Sequence, residues 1–168
     1  RNAVPALNSA ALSEYWRRNT SPCEAAELAN LLRALRKVAG HLGANTGRIE
    51  YAGMSGGDGA AIVIDPALVM GRYPVPPERV DELVGLVVHE ALHRVEWSDR
   101  VWELLETDFS AVPGLSLVGF QKMIHRAEDI YVDTVADASI LGQYTAAARR
   151  KVFAAPASGP LRSLVTLD

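Results

Sequence analysis

The stretch that decides how this chain folds is Val87-Val88-His89-Glu90-Ala91-Leu92-His93. It lies inside a longer segment, from 77 to about 97, in which apolar residues recur at helical spacing. Those residues are Val80, Leu83, Val84, Val87, Val88, Ala91, Leu92 and Val95. Leu86 adds an apolar side chain outside this stripe, and Pro77 suits the first position of a helix. The segment is therefore predicted to be a helix that is apolar over most of its circumference and lies buried at the centre of the fold.

Three polar residues interrupt the apolar character of this helix. His89 and His93 lie one turn apart and project from the same side, so that two imidazole nitrogens can reach one tetrahedral zinc ion. Glu90 lies further round the helix, where its carboxylate can reach a water on the metal and accept its proton. A pair of hydrogen-bonded core histidines is the alternative interpretation. The metal site is favoured, because three buried polar groups are costly unless a partner satisfies all of them.

With apolar residues flanking both histidines, VVHEALH (87–93) resembles the active helix of the zincin superfamily of metallopeptidases. The resemblance implies a zinc cofactor, a peptide or protein substrate, and a zinc-bound water that Glu90 activates for attack on the peptide carbonyl. It also implies a strand before the helix whose edge holds extended substrate, and AAIVID (60–65) is the candidate for that strand. The chain is accordingly interpreted as a zinc metallopeptidase.

A catalytic zinc site of this kind needs a third protein ligand, which leaves one coordination position for water. Metzincins would require a glycine and a further histidine where this sequence has Glu96 and Asp99, so that subclass is excluded. The gluzincin arrangement takes an acid from a later helix. Such a helix is predicted from about 117 to 141, because its apolar residues again follow helical spacing.

Two acids on this later helix compete for the role of third ligand. Glu128 shares a helix face with Ile124, Tyr131, Val132 and Val135. A carboxylate in such an apolar stripe is costly unless it meets a cation, so Glu128 is preferred. Asp129 is the alternative, because Asp133 follows it at the spacing of the Asp that orients a ligand histidine in thermolysin-like enzymes. His125 is a weaker candidate ligand, and either His125 or Tyr131 could stabilise the developing oxyanion.

The rest of the sequence predicts an α+β fold that is mainly helical. Two helices are expected before the motif, around 10–18 and 21–40. Short strands at 47–52 and 60–65 flank a Gly-rich turn, which indicates a hairpin or a small β-sheet ahead of the HExxH helix. The expected architecture is zincin-like, with a later helix supplying the third ligand. Residues 1–168 are expected to form a single metallopeptidase-like domain, which could be a fragment of a longer chain.

Composition narrows the classes of partner. The chain has 17 Lys and Arg against 20 Asp and Glu, a net charge of -3, which gives no electrostatic reason to expect nucleic acid or an anionic membrane. No segment approaches the length of a membrane span. Cys23 is the single cysteine, so an internal disulfide is excluded. Because no signal peptide is visible either, the expected location is cytoplasmic.

A second function stays open on sequence grounds. The Glu128-Asp129 pair loosely resembles metallopeptidase-like domains found beside von Willebrand A modules. The chain could thus be a catalytically silent or regulated zincin-fold domain that binds metal and serves as a binding or regulatory module, with a fused or associated regulatory domain. A hydrolase of non-peptide amides is a third, weaker possibility. An open coordination position beside a groove for extended peptide would favour the enzyme, and a closed four-ligand site the structural role.

Overall fold

The computed structural model describes residues 11–43, 46–53, 56–57, 61–96, 100, 102–104 and 116–154. Its main α-helices are α1 (Leu12–Trp16), α2 (Glu24–Leu42), α3 (Pro77–Val95), α4 (Leu117–Asp137) and α5 (Leu141–Ala154). Its strands are β1 (Arg48–Tyr51), β2 (Gly56–Gly57) and β3 (Ala61–Ile64), and a short 3-10 helix follows at Pro66–Leu68. The prediction of a mainly helical α+β chain with a small sheet before the motif helix is confirmed. Across these described ranges, no helix combines the length and apolar content needed to cross a bilayer.

α3 lies at the centre of the helical part, as its apolar pattern predicted. It packs against α1, α2, α4 and α5. Seven residues of the predicted stripe are at most 4% exposed: Val80, Leu83, Val84, Val87, Val88, Ala91 and Leu92. The helix ends at Val95, which is half-buried, and the N–H of Glu96 donates to the Leu92 carbonyl at 2.8 Å. The motif residues therefore stand on the last two turns of the most enclosed helix of the described fold.

The sheet corrects two expectations. β3 is its central strand, paired in parallel with β1 and antiparallel with β2. β1 and β3 are thus parallel neighbours and do not form the hairpin that their Gly-rich connection suggested. β3 is also paired on both sides at Ile62 and Val63, so it offers no free edge there. One face of the sheet buries Ile49, Ile62 and Ile64 in the core.

A further correction concerns the helix expected from 117 to 141. α4 ends at Asp137, and α5 begins after a short turn, where the Leu141 N–H donates to the Ser139 hydroxyl oxygen at 3.1 Å. The reversal is tight at Gly142: a Cβ there would lie 2.5 Å from Asp137 Oδ1. The apolar pattern carries on across this turn, so helical spacing alone could not separate the two helices.

α5 lies unusually close to α3 at Gly85. A Cβ on Gly85 would lie 2.1 Å from the carbonyl oxygen of Tyr144 and 2.9 Å from the Cβ of Ala148. Real Cβ atoms do not approach a backbone oxygen so closely, because the interior is already packed at crystal-like density. The absence of a side chain at Gly85 therefore sets the distance between the two helices.

Buried acids anchor the N-terminal helices. Asp81 of α3 accepts hydrogen bonds from the backbone N–H groups of Leu12 and Ser13, at 2.7 and 2.8 Å, and so satisfies the start of α1. Glu27 of α2 is fully buried. Its carboxylate pairs with the Arg17 guanidinium and accepts from the backbone N–H groups of Ser21 and Val75, both at 2.8 Å. The two acids lie on different helices, but each supplies hydrogen-bond acceptors that a loop or helix end would otherwise lack.

Candidate metal centre

The two histidines of the motif face each other one turn apart on α3. His89 Nε2 and His93 Nε2 are 3.3 Å apart, and the ring planes meet at 82°. Only 17% and 16% of the two side chains is exposed. The spacing predicted from the sequence therefore brings two imidazole nitrogens to one point at the rim of the core.

α4 brings a carboxylate to the same point. Asp129 Oδ1 lies 3.1 Å from His93 Nε2 and 3.4 Å from His89 Nε2. In the part of the chain that the structure describes, these three residues are the group whose ligand atoms lie close enough together to hold a metal ion. Each of the three residues is partly exposed.

The three ligand atoms have the separations that a zinc site requires. Zinc bonds of about 2.0–2.2 Å with tetrahedral angles place any two ligand atoms about 3.3–3.6 Å apart. The separations here are 3.1, 3.3 and 3.4 Å, which is close to that triangle. Two imidazoles and one carboxylate are also a ligand set that suits zinc, and three protein ligands leave a fourth position for water or substrate. The residues present therefore fit the ion that the motif implies.

A second carboxylate of α4 orients His89. Asp133 Oδ1 lies 3.3 Å from His89 Nδ1, on the side of the ring away from Asp129. The other oxygen, Oδ2, accepts from the guanidinium of Arg149 on α5, which also lies 3.7 Å from Asp137. A carboxylate on the far nitrogen fixes the tautomer and the direction of a ligand histidine. The sequence analysis predicted that Asp133 would orient a ligand histidine if Asp129 were the ligand. It gave no indication of a role for Arg149.

These contacts shift the acid–base equilibria of the centre. Burial alone would lower the pKa of His89, but hydrogen bonds to Asp129 and Asp133 and the nearby Glu90 charge raise that pKa to about 9. Burial would raise the pKa of Asp129, yet the two histidines hold it well below its ordinary value. The pKa of Asp133 is lowered in the same way by His89 and Arg149, against the effect of burial. The centre is thus a place where acidic groups stay ionised beside a positive charge.

Glu90 is the buried acid beside these groups. Its residue is only 8% exposed, and its Oε1 atom is buried without a hydrogen-bond partner. Its charge contributes to the raised pKa of His89, which places the carboxylate within electrostatic reach of that ring. An unsatisfied buried carboxylate oxygen is costly, and such atoms are concentrated where a ligand, ion or water completes the set.

Glu128, the acid preferred from the sequence, is not brought to the two histidines. Its Oε2 atom accepts a hydrogen bond from Trp102 Nε1 at 2.8 Å. The preference assumed that α4 buries the whole apolar stripe around Glu128. Of that stripe only Val132 is fully buried, and Tyr131 is 53% exposed. Val132 also lies one turn from Asp129, so its burial does not favour Glu128 over Asp129.

The two candidate oxyanion donors occupy different surroundings. Tyr131 is exposed and donates its hydroxyl hydrogen to Glu96 Oε2 at 2.8 Å. His125 is 57% exposed, its Nδ1 atom lies 4.0 Å from Asp129 Oδ1, and its ring stands 5.4 Å from that of Trp102. Of the two, His125 is therefore the one beside the centre.

Comparison with known proteins adds no relative to this description. No family model, no curated protein and no solved structure matches the chain. The class of the site is therefore argued from its own residues and their geometry.

Proposed function

We propose that this chain is a zincin-type zinc hydrolase domain that cleaves peptide bonds. One observation carries the proposal: His89, His93 and Asp129 present three ligand atoms at separations of 3.1–3.4 Å, and the buried Glu90, which follows His89 on the same helix, acts on that ring through its charge. A structural pair of histidines would not need a third ligand atom at the same point, nor a buried acid without a partner. Asp129 takes the place of Glu128 as the proposed third ligand.

The chemistry divides between the ion and the side chains. When bound, zinc would polarise the scissile carbonyl and lower the pKa of a water towards about 7. Glu90 accepts the proton of the attacking water at its carboxylate and returns it to the leaving nitrogen, which could not depart as an amide anion. Asp133 holds the His89 ring through Nδ1, so that Nε2 keeps its direction towards Asp129.

The first test measures zinc content by elemental analysis in the wild type, Asp129→Ala and Glu128→Ala. We expect about one zinc per chain in the wild type and in Glu128→Ala, and a large loss in Asp129→Ala, because removing one of three ligands opens the site. Loss of zinc in Glu128→Ala alone would restore Glu128 as the ligand. A wild type that binds no zinc would remove the basis for any zinc enzyme.

The second test addresses the reaction. Wild type and Glu90→Gln are incubated with a library of unstructured peptides, and new amino termini are identified by mass spectrometry. Glu90→Gln should keep its zinc and cleave at least about 100-fold more slowly, because the general base is lost while the ligands stay. Equal cleavage by both proteins would refute the role assigned to Glu90.

One observation favours the second candidate, a metal-binding domain without turnover. β3 was expected to hold extended substrate along a free edge, and β2 occupies that edge at Ile62 and Val63. Zinc binding that depends on Asp129, together with no cleavage of any peptide in the library, would support this candidate over the peptidase.

A further inference from the structure

A cleft of about 570 Å³ opens between α1, α2 and the pair formed by α3 and α5, and the proposed hydrolase does not use it. Its floor is apolar and comes from three helices. Val38 and Leu42 belong to α2, Val84 to α3, and Leu141 and Tyr144 to α5. The volume falls within the range of about 300–1,000 Å³ that holds small organic ligands.

The rim of the cleft is positively charged, although the chain as a whole has a net charge of -3. Arg18, Arg33 and Lys37 line it, and none of the described residues that line the cleft is an aspartate or a glutamate. Arg33 and Lys37 stand one turn apart on α2, a spacing at which like charges destabilise a helix. Both are exposed, so an anion can approach them directly.

Arg18, Arg33 and Lys37 at the rim of the cleft are not neutralised by ion pairs with acids of the described fold. Arg17 also reaches the cleft, but its guanidinium is held by the buried Glu27. Arg33 makes a long hydrogen bond, 3.3 Å, to the neutral side chain of Asn30. Arg18 and Lys37 form no ion pair with any residue in the described ranges. A ligand that matches this cleft therefore carries a negative charge next to an apolar group.

One end of the floor is closed by a polar contact. Trp16 Nε1 donates to the Tyr144 hydroxyl oxygen at 2.8 Å, which joins α1 to α5 across the cleft. The indole N–H is thereby satisfied, and the two ring systems present their apolar surfaces. An apolar group in the cleft would therefore leave the Trp16 donor with its acceptor.

We propose that the cleft binds an amphipathic carboxylate with an unbranched alkyl body, such as a medium-chain fatty acid. The alkyl body lies on the apolar floor, where burial of hydrocarbon drives binding. The carboxylate lies at the rim between Arg33 and Lys37, which can form charge-assisted hydrogen bonds to it. This site is separate from the metal centre, and its occupancy requires neither zinc nor turnover.

The experiment is a calorimetric titration with dodecanoate below its micellar concentration. The wild type should bind one dodecanoate per chain with a saturable isotherm. The uncharged methyl ester of the same acid and the cation dodecyltrimethylammonium are titrated in parallel. Both should bind at least about tenfold more weakly, because they keep the alkyl body and lack the negative charge.

Two variants separate the rim from the floor. Arg33→Glu combined with Lys37→Glu reverses two exposed charges and should weaken dodecanoate binding at least about tenfold. Ala34→Trp fills the cleft from α2 while keeping the cations, and should weaken binding as strongly. Arg150→Glu reverses an exposed charge outside the cleft and should bind within about twofold of the wild type.

Circular dichroism confirms that each variant is folded before it is titrated. Absence of saturable binding to the wild type would overturn the proposal. Equal binding of the methyl ester would also overturn it, because the cleft would then select alkyl groups without regard to charge. Unchanged binding in both cleft variants would place the dodecanoate elsewhere on the protein. Because this experiment measures dodecanoate binding, a negative result leaves the zinc measurements unaffected. A failure to bind zinc likewise leaves the dodecanoate result unaffected.

Discussion

At the scale of single residues, the candidate metal centre is built in layers that come from different helices. α3 supplies His89 and His93, α4 supplies Asp129 and Asp133, and α5 supplies Arg149. Each layer restricts the one before it, since Arg149 bonds Asp133 and Asp133 bonds His89. The outermost residue can therefore influence a metal ion that it does not touch.

We predict that Arg149→Met weakens zinc binding about tenfold, because Asp133 loses the donor that holds it against His89. Arg149→Lys should recover part of this loss, since it retains a positive charge. Arg150→Met is the control, because Arg150 is exposed beside it and should bind zinc as the wild type does. Affinity is measured by competition with a chromophoric chelator. Equal affinity in all four proteins would contradict the layered arrangement.

Residue patterns predicted part of this centre and missed the rest for a physical reason. The positions of His89 and His93 follow from local helix geometry, which the sequence carries. The choice between Glu128 and Asp129 depends on which face of α4 meets α3, and that is a tertiary contact. Tyr131, which the prediction counted in the buried stripe, is 53% exposed, so the apolar pattern around Glu128 was misleading.

At the scale of helices and strands, the central helix was the most predictable element. Its stripe of apolar residues is long, and Pro77 begins the helix as expected. The parallel pairing of β1 with β3 was not predictable in the same way, because a Gly-rich connection between two short strands usually indicates a hairpin. The boundary between α4 and α5 was missed because helical spacing continues through it.

The close packing of α3 on α5 leads to a prediction at this scale. Gly85→Ala should lower the free energy of unfolding by about 3 kcal/mol, because the new Cβ meets the backbone oxygen of Tyr144, which cannot turn aside. Gly40→Ala is the matched control. Gly40 lies in α2 with no atom within 4 Å of the added carbon, so this change should raise stability by about 0.5–1 kcal/mol.

Urea unfolding followed by circular dichroism measures both glycine variants. The two substitutions add the same methyl group to a helix, so opposite signs separate crowding from helix propensity. Two changes of the same sign would mean that α5 can move away from α3 at little cost.

At the scale of the whole molecule, Glu27 joins parts of the chain that are distant in sequence. Glu27→Gln should lower the free energy of unfolding by about 3–5 kcal/mol, because Arg17 would be left as a buried charge without its partner. Glu14→Gln, at an exposed position in α1, should change it by less than about 0.5 kcal/mol. Thermal and urea unfolding measure the free energy of unfolding of both variants. A small decrease in Glu27→Gln would mean that water reaches the ion pair of Arg17 and Glu27.

Zinc should also stabilise the molecule as a whole. With free zinc at about 100 times its dissociation constant, the expected gain is about 2.7 kcal/mol, or roughly 5–10 °C in Tm for a chain of this size. The measurement is a thermal melt with zinc and with a chelator. In Asp129→Ala the two melts should coincide, and a full zinc effect in that variant would point to a different binding site.

The contact between Arg149 and Asp133 determines how far the chain can be shortened without disturbing the candidate metal centre. A fragment that stops after Asp137 keeps the whole HExxH motif and all three proposed ligands. It would nevertheless lose the helix that packs on Gly85 and the guanidinium that steadies Asp133. The part of the chain on which the candidate metal centre depends therefore extends well past its last proposed ligand, and a fragment chosen by the motif alone is expected to keep every proposed ligand but hold them less firmly.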